Sequence, residues 1–266
     1  MMMGEETRDI IMANIRRDVM SNTLGKGLRF DGRTFKDFRP VKIQRSVIKT
    51  AEGSAIATVG DTRVLVGVKF DIVKPFSDRP QEGVMVTNAE LLPTASSGFE
   101  PGPPNEHSVE AARVVDRALR SAELIDLKSL FVETDKVLGF YIDIYVLNHA
   151  GNYVDAATIA ATAALMDAKL PKIVNGAIVR GQYSGPFNPA TLPVTTTLVK
   201  IGNHWLVDPS RDEERVAETT LTIGTTAEHV CAMQKGRGAI TKEEIMDAVD
   251  IAFKTGDDIR KILQQG

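Results

Sequence analysis

The chain has 266 residues, of which 43% are hydrophobic and 25% charged, as is typical of a globular protein with a substantial core. The net charge of −3 excludes a surface that attracts nucleic acid everywhere, so any such contact must be a local patch. The single cysteine, Cys231, excludes an internal disulfide and a cysteine-based zinc cluster. Without an apolar stretch long enough for a membrane span or a secretory signal, a cytoplasmic protein without membrane contact is expected.

β-Type sequence dominates the first half of the chain after an N-terminal helix. Ile11, Ile15 and Val19, four residues apart, predict an amphipathic helix over residues 7–22, which a Gly/Arg-rich arm follows. From residue 41 onward, β-branched residues alternate with polar residues, as a half-buried hairpin with its turn at Gly60-Asp61 requires. The remaining predicted elements of this half are a strand over 83–91, a helix over 108–124 and a strand over 138–148.

Asp155 is expected to cap the next helix, a helix of small residues over 156–170 whose surface suits close packing on a sheet. The second half then repeats this order of strands followed by helices. Thr241 and Glu244 form a capping box that opens the last helix, over 242–263. Strands are predicted within 175–181, 193–208, 215–224 and 228–236. This order, twice over, indicates an α+β fold with a duplicated β-rich unit.

The Pro-rich segment 185–193 is the expected junction between the two halves. We therefore divide the chain into an N-terminal helix and arm (1–28), a first domain (29–185) and a second domain that contains the last helix (186–266). No low-complexity tract or short repeat interrupts this organisation.

Motifs of the common catalytic and cofactor sites are missing from the sequence. The four histidines are scattered, and no phosphate-binding glycine motif or nucleophile elbow occurs, so no metal and no cofactor is expected. One acidic cluster remains open to two interpretations. Asp208, Asp212, Glu213 and Glu214 could hold Mg²⁺ or supply a general acid, or they could form a turn whose acids pair with arginines of the same segment.

Three arginines share one side of the helix predicted over 108–124. Arg117 lies about 40° round the helix axis from Arg113, and Arg120 about 20° on the other side, so the guanidinium groups form a stripe. Glu110 and Asp116 are each placed to pair with Arg113, and Asp116 also with Arg120, whereas Arg117 has no acid three or four residues away. The stripe is therefore either an anion-binding surface or a solvated face that its own acids neutralise.

Five segments of the chain carry a family resemblance. They are RFDGRTFKDFRPV (29–41), GSAIATVGDTRVLVGV (53–68), PPNEHSVEAARVVDRALR (103–120), GNYVDAATIAATAAL (151–165) and LVDPSRDEE (206–214). Together they resemble the RNase PH family, and within it the non-catalytic RNase PH-like subunits of the archaeal exosome. The resemblance implies a duplicated βαβα fold of the ribosomal protein S5 domain 2-like type. It also implies a hexameric ring, with three catalytic RNase PH-like subunits and RNA-binding cap proteins as partners, that degrades single-stranded RNA from the 3′ end with inorganic phosphate.

Three positions depart from the catalytic pattern of the family. Catalytic members carry an Arg-Arg pair where this chain has Glu106-His107, and an arginine that holds phosphate where this chain has Tyr153. Asp208 matches the first of two catalytic aspartates, and Glu214 stands at the second. Because phosphorolysis must hold two anions together, the resemblance implies that Asp208 and Glu214 are degenerate remnants and that this chain does not cleave RNA alone.

The same resemblance suggests a role for the arginine stripe. In subunits of this type, arginines of the A-R-x-x-x-R segment lie beside the sister subunit's active site, which makes Arg113 and Arg117 candidates for contacts with RNA phosphates. Arg120 is included with them, although a salt bridge is the better expectation for it.

Lys74 and Arg79 lie on a predicted loop that could face the central channel of the ring, although a solvated loop explains them equally well.

Two competing functions remain. The chain could be a phosphorolytic exoribonuclease active on its own through Asp208 and Glu214, or a scaffold without RNA contact.

Overall fold

The computed structural model describes residues 17–265, which form two larger β-sheets and a two-stranded hairpin, with helices packed against the sheets. No helix within these residues combines the length and the apolar composition needed to cross a membrane. The helices are α1 (17–25), α2 (Glu106–Ser121), α3 (Tyr153–Asp167), α4 (Arg211–Val216) and α5 (Lys242–Gln265), with a short 3₁₀ helix at Leu127–Leu130. The strands are β1 (Val41–Arg45), β2 (Gly53–Val59), β3 (Thr62–Val73), β4 (Val84–Leu91), β5 (Phe131–Glu133), β6 (Lys136–Asn148), β7 (Lys169–Val174), β8 (Ala177–Pro186), β9 (Val194–Ile201), β10 (His204–Val207), β11 (Thr219–Thr225) and β12 (Val230–Lys235).

The two sheets differ in size and are bridged by α2. The six-stranded sheet has the order β1-β2-β3-β6-β4, with β5 also paired to β6, and only the β4–β6 pairing is parallel. The four-stranded sheet has the order β10-β9-β11-β12 and is antiparallel throughout. β7 and β8 form a separate hairpin. Because β4 and β12 each end their sheet and α2 contacts both, α2 lies at the meeting of two sheet edges.

Helix α3 occupies the centre of the core. Every residue from Asp155 to Leu165 is buried, and the helix contacts β2 and β3 of one sheet and β9 of the other. A helix that is apolar on all sides is suited to such a position. A Cβ on Gly53 would lie 2.3 Å from the carbonyl oxygen of Ala164, so this glycine allows β2 to approach the helix closely. The α+β fold predicted from the order of elements is confirmed.

Local signals fix several element ends. Val59 pairs with Thr62, so the turn at Gly60-Asp61 is the predicted two-residue connection between β2 and β3. The predicted capping box is confirmed, since the backbone N–H of Glu244 donates to Thr241 Oγ1 at 3.2 Å and the backbone N–H of Thr241 donates to Glu244 Oε2 at 2.9 Å.

The start of α3 differs from the prediction. Asp155 does not cap the helix but lies inside its first turn, where its buried carboxylate accepts hydrogen bonds of 2.7 Å from the backbone and 2.8 Å from the hydroxyl of Thr197. Asn152 takes the cap position in a left-handed conformation and makes no side-chain cap bond. Asp155 therefore joins α3 to β9 instead of satisfying the helix end.

Other predicted boundaries are wrong because short elements intervene. α3 ends at Asp167 instead of residue 170, since β7 begins at Lys169. The strand predicted from residue 215 begins only at Thr219, because α4 occupies the preceding residues. α2 begins at Glu106, capped by the Asn105 side chain, and ends at Ser121, before the 3₁₀ helix and β5, which have no counterpart among the predicted elements.

The N-terminal helix turns a different face to the core than its sequence suggests. Ile11 and Ile15 of the predicted stripe lie outside the described residues. Val19 is 56% exposed, whereas Met20 and Leu24 are buried with residues of β9, β10 and α4. The predicted apolar face is therefore wrong for the described turns, because packing on the second sheet selects the adjacent face.

Candidate functional site: a closed acidic pocket and an open arginine surface

The two predicted remnants of a catalytic site lie in one cluster of side chains, called the acidic pocket below. Asp208 follows β10 and Glu214 lies in α4, and Asn152 at the start of α3 contacts both. Gly151, with a φ of 104°, brings the turn before α3 against this segment, since a Cβ there would lie 2.4 Å from the carbonyl oxygen of Pro209. The fold thus joins residues more than 50 positions apart in the chain.

The Asp208 carboxylate is completely buried and accepts hydrogen bonds from three residues. Arg39 donates from Nε to Oδ2 and from Nη2 to Oδ1, both at 2.7 Å, and its backbone N–H lies 2.9 Å from Oδ2. Arg33 Nη1 lies 3.0 Å from Oδ2, and Asn152 Nδ2 lies 2.7 Å from Oδ1. Burial raises the pKa of Asp208, but the bonds and charge of Arg39 outweigh it and hold the pKa below its ordinary value. Asp208 is thus a structural anion without a proton to donate.

The Glu214 carboxyl has a different environment. Its Oε1 accepts a hydrogen bond of 2.7 Å from the backbone N–H of Asn152, and its Oε2 lies 3.9 Å from His149 Nε2. Burial raises the pKa of Glu214 to about 7, against the lowering effect of the Asn152 bond. Burial and nearby arginines lower the pKa of His149 to about 4, so the imidazole is neutral at pH 7. The contact between the two side chains is therefore no ion pair, and Glu214 titrates near neutral pH.

The acidic cluster does not gather around one point. Glu213 is 3% exposed, and its two carboxylate oxygens accept bonds of 2.9 and 2.7 Å from Arg29. Within residues 17–265, no group of three or more acids, histidines or cysteines is arranged to hold a metal ion. The partners of Asp208 and Glu213 come from the arm before β1.

Glu106 and Tyr153, at two positions where the resemblance implies cations in catalytic members, lie in different environments. Glu106 begins α2, and its side chain is 90% exposed. The Tyr153 ring packs edge-on against His149, with 5.0 Å between ring centroids, and His149 stacks on Phe99 at 5.4 Å. Burial, with the nearby Glu214, raises the pKa of Tyr153 well above its usual range. Tyr153 and His149 therefore present neutral rings beside Glu214.

Arg113 and Arg117 are exposed on α2 and have few partners. Across residues 17–265, the Arg113 side chain makes no hydrogen bond and no ion pair, so it pairs with neither Glu110 nor Asp116. Arg117 donates from Nη1 to Oε1 of Gln234 on β12 at 3.0 Å. Both guanidinium groups keep their charge free of any acid among the described residues.

Arg120 differs from the other two arginines. Its Nη2 and Nε lie 2.9 and 3.1 Å from the carboxylate of Asp116, which confirms the predicted salt bridge. Its Nη2 also donates to the carbonyl oxygen of Met85 on β4 at 3.0 Å. The structure thus separates the stripe into two open cations and one that is paired and bound to the first sheet.

The loop between β3 and β4 carries Lys74 and Arg79, both exposed. Arg79 Nε lies 3.7 Å from Asp78, and these side chains are 58% and 73% exposed. A pair so open to solvent contributes little to stability. Its position toward a channel stays a prediction.

Sequence reasoning missed the residues that close the pocket. These residues are three arginines of the arm, Arg29, Arg33 and Arg39. Each binds an acid about 170 to 180 positions away, and no rule of sequence spacing predicts a pair so far apart. Their clustering in one Gly/Arg-rich arm was the available signal. Gln234 had no signal, because its role depends on where β12 lies beside α2.

Sequence comparison places these features in a known class of proteins. Residues 37–171 match the 3′ exoribonuclease family, domain 1, and residues 191–255 match domain 2 of the same family. The chain belongs to this family, RNase PH.

Relatives refine the comparison. The chain is 45% identical over 260 residues to exosome complex component Rrp42 of Thermococcus gammatolerans, with 95% of each chain covered. The Rrp42 of Methanosarcina acetivorans is 44% identical, with 96% of each chain covered. A chain of the Archaeoglobus fulgidus exosome with RNA bound to the active site superposes with a TM-score of 0.85 at 42% identity, covering 94% of this chain and 98% of that one. Rice Rrp46, with a TM-score of 0.69 at 18% identity, shares the fold.

Proposed function

We propose that the chain is a non-catalytic, RNA-binding subunit of a cytoplasmic archaeal exosome. Three copies alternate with three copies of a catalytic sister subunit in a ring that degrades RNA 3′→5′ with inorganic phosphate, beneath RNA-binding cap proteins. Support comes from relatives about 45% identical over nearly the full length that are named exosome components, and from a similar structure that contains RNA in an exosome active site.

The main support for a non-catalytic subunit is the buried, fully hydrogen-bonded environment of the Asp208 carboxylate. A catalytic acid must exchange a proton or bind a metal ion during the reaction. Here both oxygens of the carboxylate are occupied by Arg39, Arg33 and Asn152, and the carboxylate is closed to solvent. Freeing an oxygen would leave a buried guanidinium without its partner, which is costly.

The lack of cations in the pocket supports the same conclusion. Phosphorolysis brings free phosphate against a phosphodiester, so positive groups must hold two anions together. Arg39 is already bound to Asp208, and the neutral ring of Tyr153 lies where an arginine would be needed. Each missing charge-assisted hydrogen bond costs about 1.5–3 kcal/mol, so free phosphate should bind poorly here.

The open face of α2 supports the RNA-binding part. Arg113 and Arg117 are exposed and not neutralised by any described acid, so their charge is available to phosphates. Phosphate contacts of this kind are independent of base sequence and sensitive to salt, which suits a general degrader of RNA. We assign RNA binding to these two residues and exclude Arg120, because its guanidinium group is already bound to Asp116 and to the carbonyl oxygen of Met85.

One observation favours the alternative of a nuclease active on its own. Glu214 has a pKa raised to about 7, which suits a general acid at neutral pH. A proton donor without a site for the attacking anion is insufficient, however, and this alternative requires phosphate to bind beside Tyr153.

The test is a phosphate-dependent degradation assay with a labelled single-stranded RNA. The purified chain, the catalytic sister subunit alone and the reconstituted mixture are compared at equal active-site concentration, with and without phosphate. We expect no nucleoside diphosphate release from the chain alone and more from the mixture than from the sister subunit alone. Phosphate-dependent release by the isolated chain, abolished by Glu214→Gln, would establish the alternative instead.

A further inference from the structure

Arg117 has a neutral partner from another part of the fold. Its Nη1 donates to Oε1 of Gln234, near the end of β12, and the two residues are 117 positions apart in the chain. Arg120, one turn further along α2, is instead bound by the carboxylate of Asp116. Neighbouring arginines of one helix are thus restrained in opposite ways, one with its charge preserved and the other with its charge neutralised.

The register that brings Gln234 to Arg117 is set by close packing between α2 and the second sheet. A Cβ at Gly224 on β11 would lie 3.4 Å from Cβ of Ala118 and 3.0 Å from Cβ of Ala232. Small residues therefore let α2 lie directly on β11 and β12. Because Ala118 and Ala232 are near neighbours of Arg117 and Gln234 in the chain, this packing fixes the distance that the hydrogen bond spans.

We propose that Gln234 is a positioning residue that aims the Arg117 guanidinium at RNA while leaving its charge intact. The proposal rests on the RNA-binding role of Arg117 proposed above. An arginine free in solution loses side-chain entropy when it binds a phosphate, and a restrained arginine loses less. A neutral amide uses one of the five guanidinium N–H donors and leaves the others for phosphate oxygens.

Replacing the amide by a carboxylate separates this role from a structural one. Gln234→Glu keeps the size and the acceptor but neutralises Arg117, whereas Gln234→Ala removes the restraint and keeps the charge. Assembled rings are titrated with a single-stranded oligoribonucleotide in phosphate-free buffer at several salt concentrations. For Gln234→Glu we expect about tenfold weaker binding and a salt slope smaller by about 0.7, as when one RNA phosphate is no longer neutralised. For Gln234→Ala we expect about threefold weaker binding with an unchanged slope.

Two controls isolate the interaction. Gln44→Glu adds the same charge on exposed β1, at the opposite edge of the first sheet from β4 and α2, and should bind like the parent. In an Arg117→Ala background, Gln234→Glu should weaken binding by less than a further twofold, since its partner is gone.

The outcomes distinguish this proposal from the function on which it rests. If Gln234→Glu keeps the parent's affinity and slope while Arg113→Glu/Arg117→Glu binds weakly, Gln234 has no positioning role and the RNA-binding function stands. If the double arginine variant also binds like the parent, the RNA-binding role itself is wrong.

Discussion

The acidic pocket and the arginine face of α2 use their charges in opposite ways. In the pocket, the Asp208 carboxylate and the Arg39 guanidinium are buried and bound to each other. On α2, Arg113 and Arg117 are exposed, and no described acid neutralises them. A charge that is saturated within the fold contributes to the structure, whereas a charge that the fold leaves open is available to another molecule.

This difference gives Asp208 a structural role that is independent of catalysis. A buried ion pair adds little net stability compared with apolar residues, but removing one partner leaves an uncompensated charge that costs about 3–5 kcal/mol. Asp208 holds the arm before β1 through Arg39 and Arg33, and it also contacts Asn152 at the start of α3. Its role as an anchor does not depend on catalysis.

The largest effect on stability is expected when the ion pair between Arg39 and Asp208 is broken. Arg39→Met leaves Asp208 buried with only Arg33 as a charged partner, and we expect the free energy of unfolding to fall by about 3 kcal/mol or more. Urea denaturation of the chain measures this change. Adding Asp208→Asn in the same chain should recover part of the loss, because it removes the uncompensated charge. A single variant as stable as the parent would show that the pair is not an anchor.

Substitutions on the arginine face should weaken RNA binding without changing the stability of the protein. Arg113→Glu/Arg117→Glu removes the two cations that we propose bind phosphate, so assembled rings should bind single-stranded RNA about a hundredfold more weakly, at roughly 1.5 kcal/mol for each arginine. The salt slope should shrink by about 0.7 for each arginine replaced. Fluorescence titration measures both quantities, and the melting temperature of the ring serves as the control. An unchanged affinity would support the scaffold without RNA contact.

A pH series probes the acids inside the pocket. Because the pKa of Glu214 rises from 4.5 to about 7 on folding, the folded chain retains a proton that the unfolded chain has released, so this group makes stability fall as pH rises through that range. His149, lowered from 6.5 to about 4, has the opposite effect, since stability rises with pH between those values. In Glu214→Gln only the second effect remains.

We therefore expect the stability of Glu214→Gln, measured by urea denaturation from about pH 4.5 to about pH 6.5, to rise more steeply with pH than that of the parent. Parallel curves for the two proteins would mean that Glu214 does not bind its proton more tightly in the folded state.

The smallest effect is expected at Arg120. Its ion pair with Asp116 is exposed, so Arg120→Ala should change the free energy of unfolding by less than about 1 kcal/mol. RNA affinity should stay within twofold of the parent, because this arginine is assigned to the fold. A loss of affinity as large as that of Arg117→Ala would restore Arg120 to the binding surface.

Much of the fold could be predicted from local signals. The turn at Gly60-Asp61 and the capping box of Thr241 and Glu244 are short-range patterns whose geometry the sequence determines directly. The prediction for Val19 is wrong because its exposure depends on which helix face meets the second sheet. The prediction for Asp155 is wrong because Thr197, a residue 42 positions away, binds its carboxylate.

The site was less predictable because its interactions are long-range. The Arg120–Asp116 pair follows from a four-residue spacing on a helix and is therefore predictable. The pairing of Glu213 with Arg29 joins residues 184 positions apart, and no pattern in either segment indicates the other. Knowledge of which acids the fold neutralises therefore required the tertiary structure.

The division between the two regions can be tested directly by phosphate-dependent RNA degradation in assembled rings that carry either Glu214→Gln or Arg113→Glu/Arg117→Glu. We predict that rings with Glu214→Gln release nucleoside diphosphates at the parent's rate and that rings with the double arginine variant release them at least tenfold more slowly. The opposite pattern, with degradation reduced by half or more in Glu214→Gln and unchanged in the arginine variant, would contradict the account.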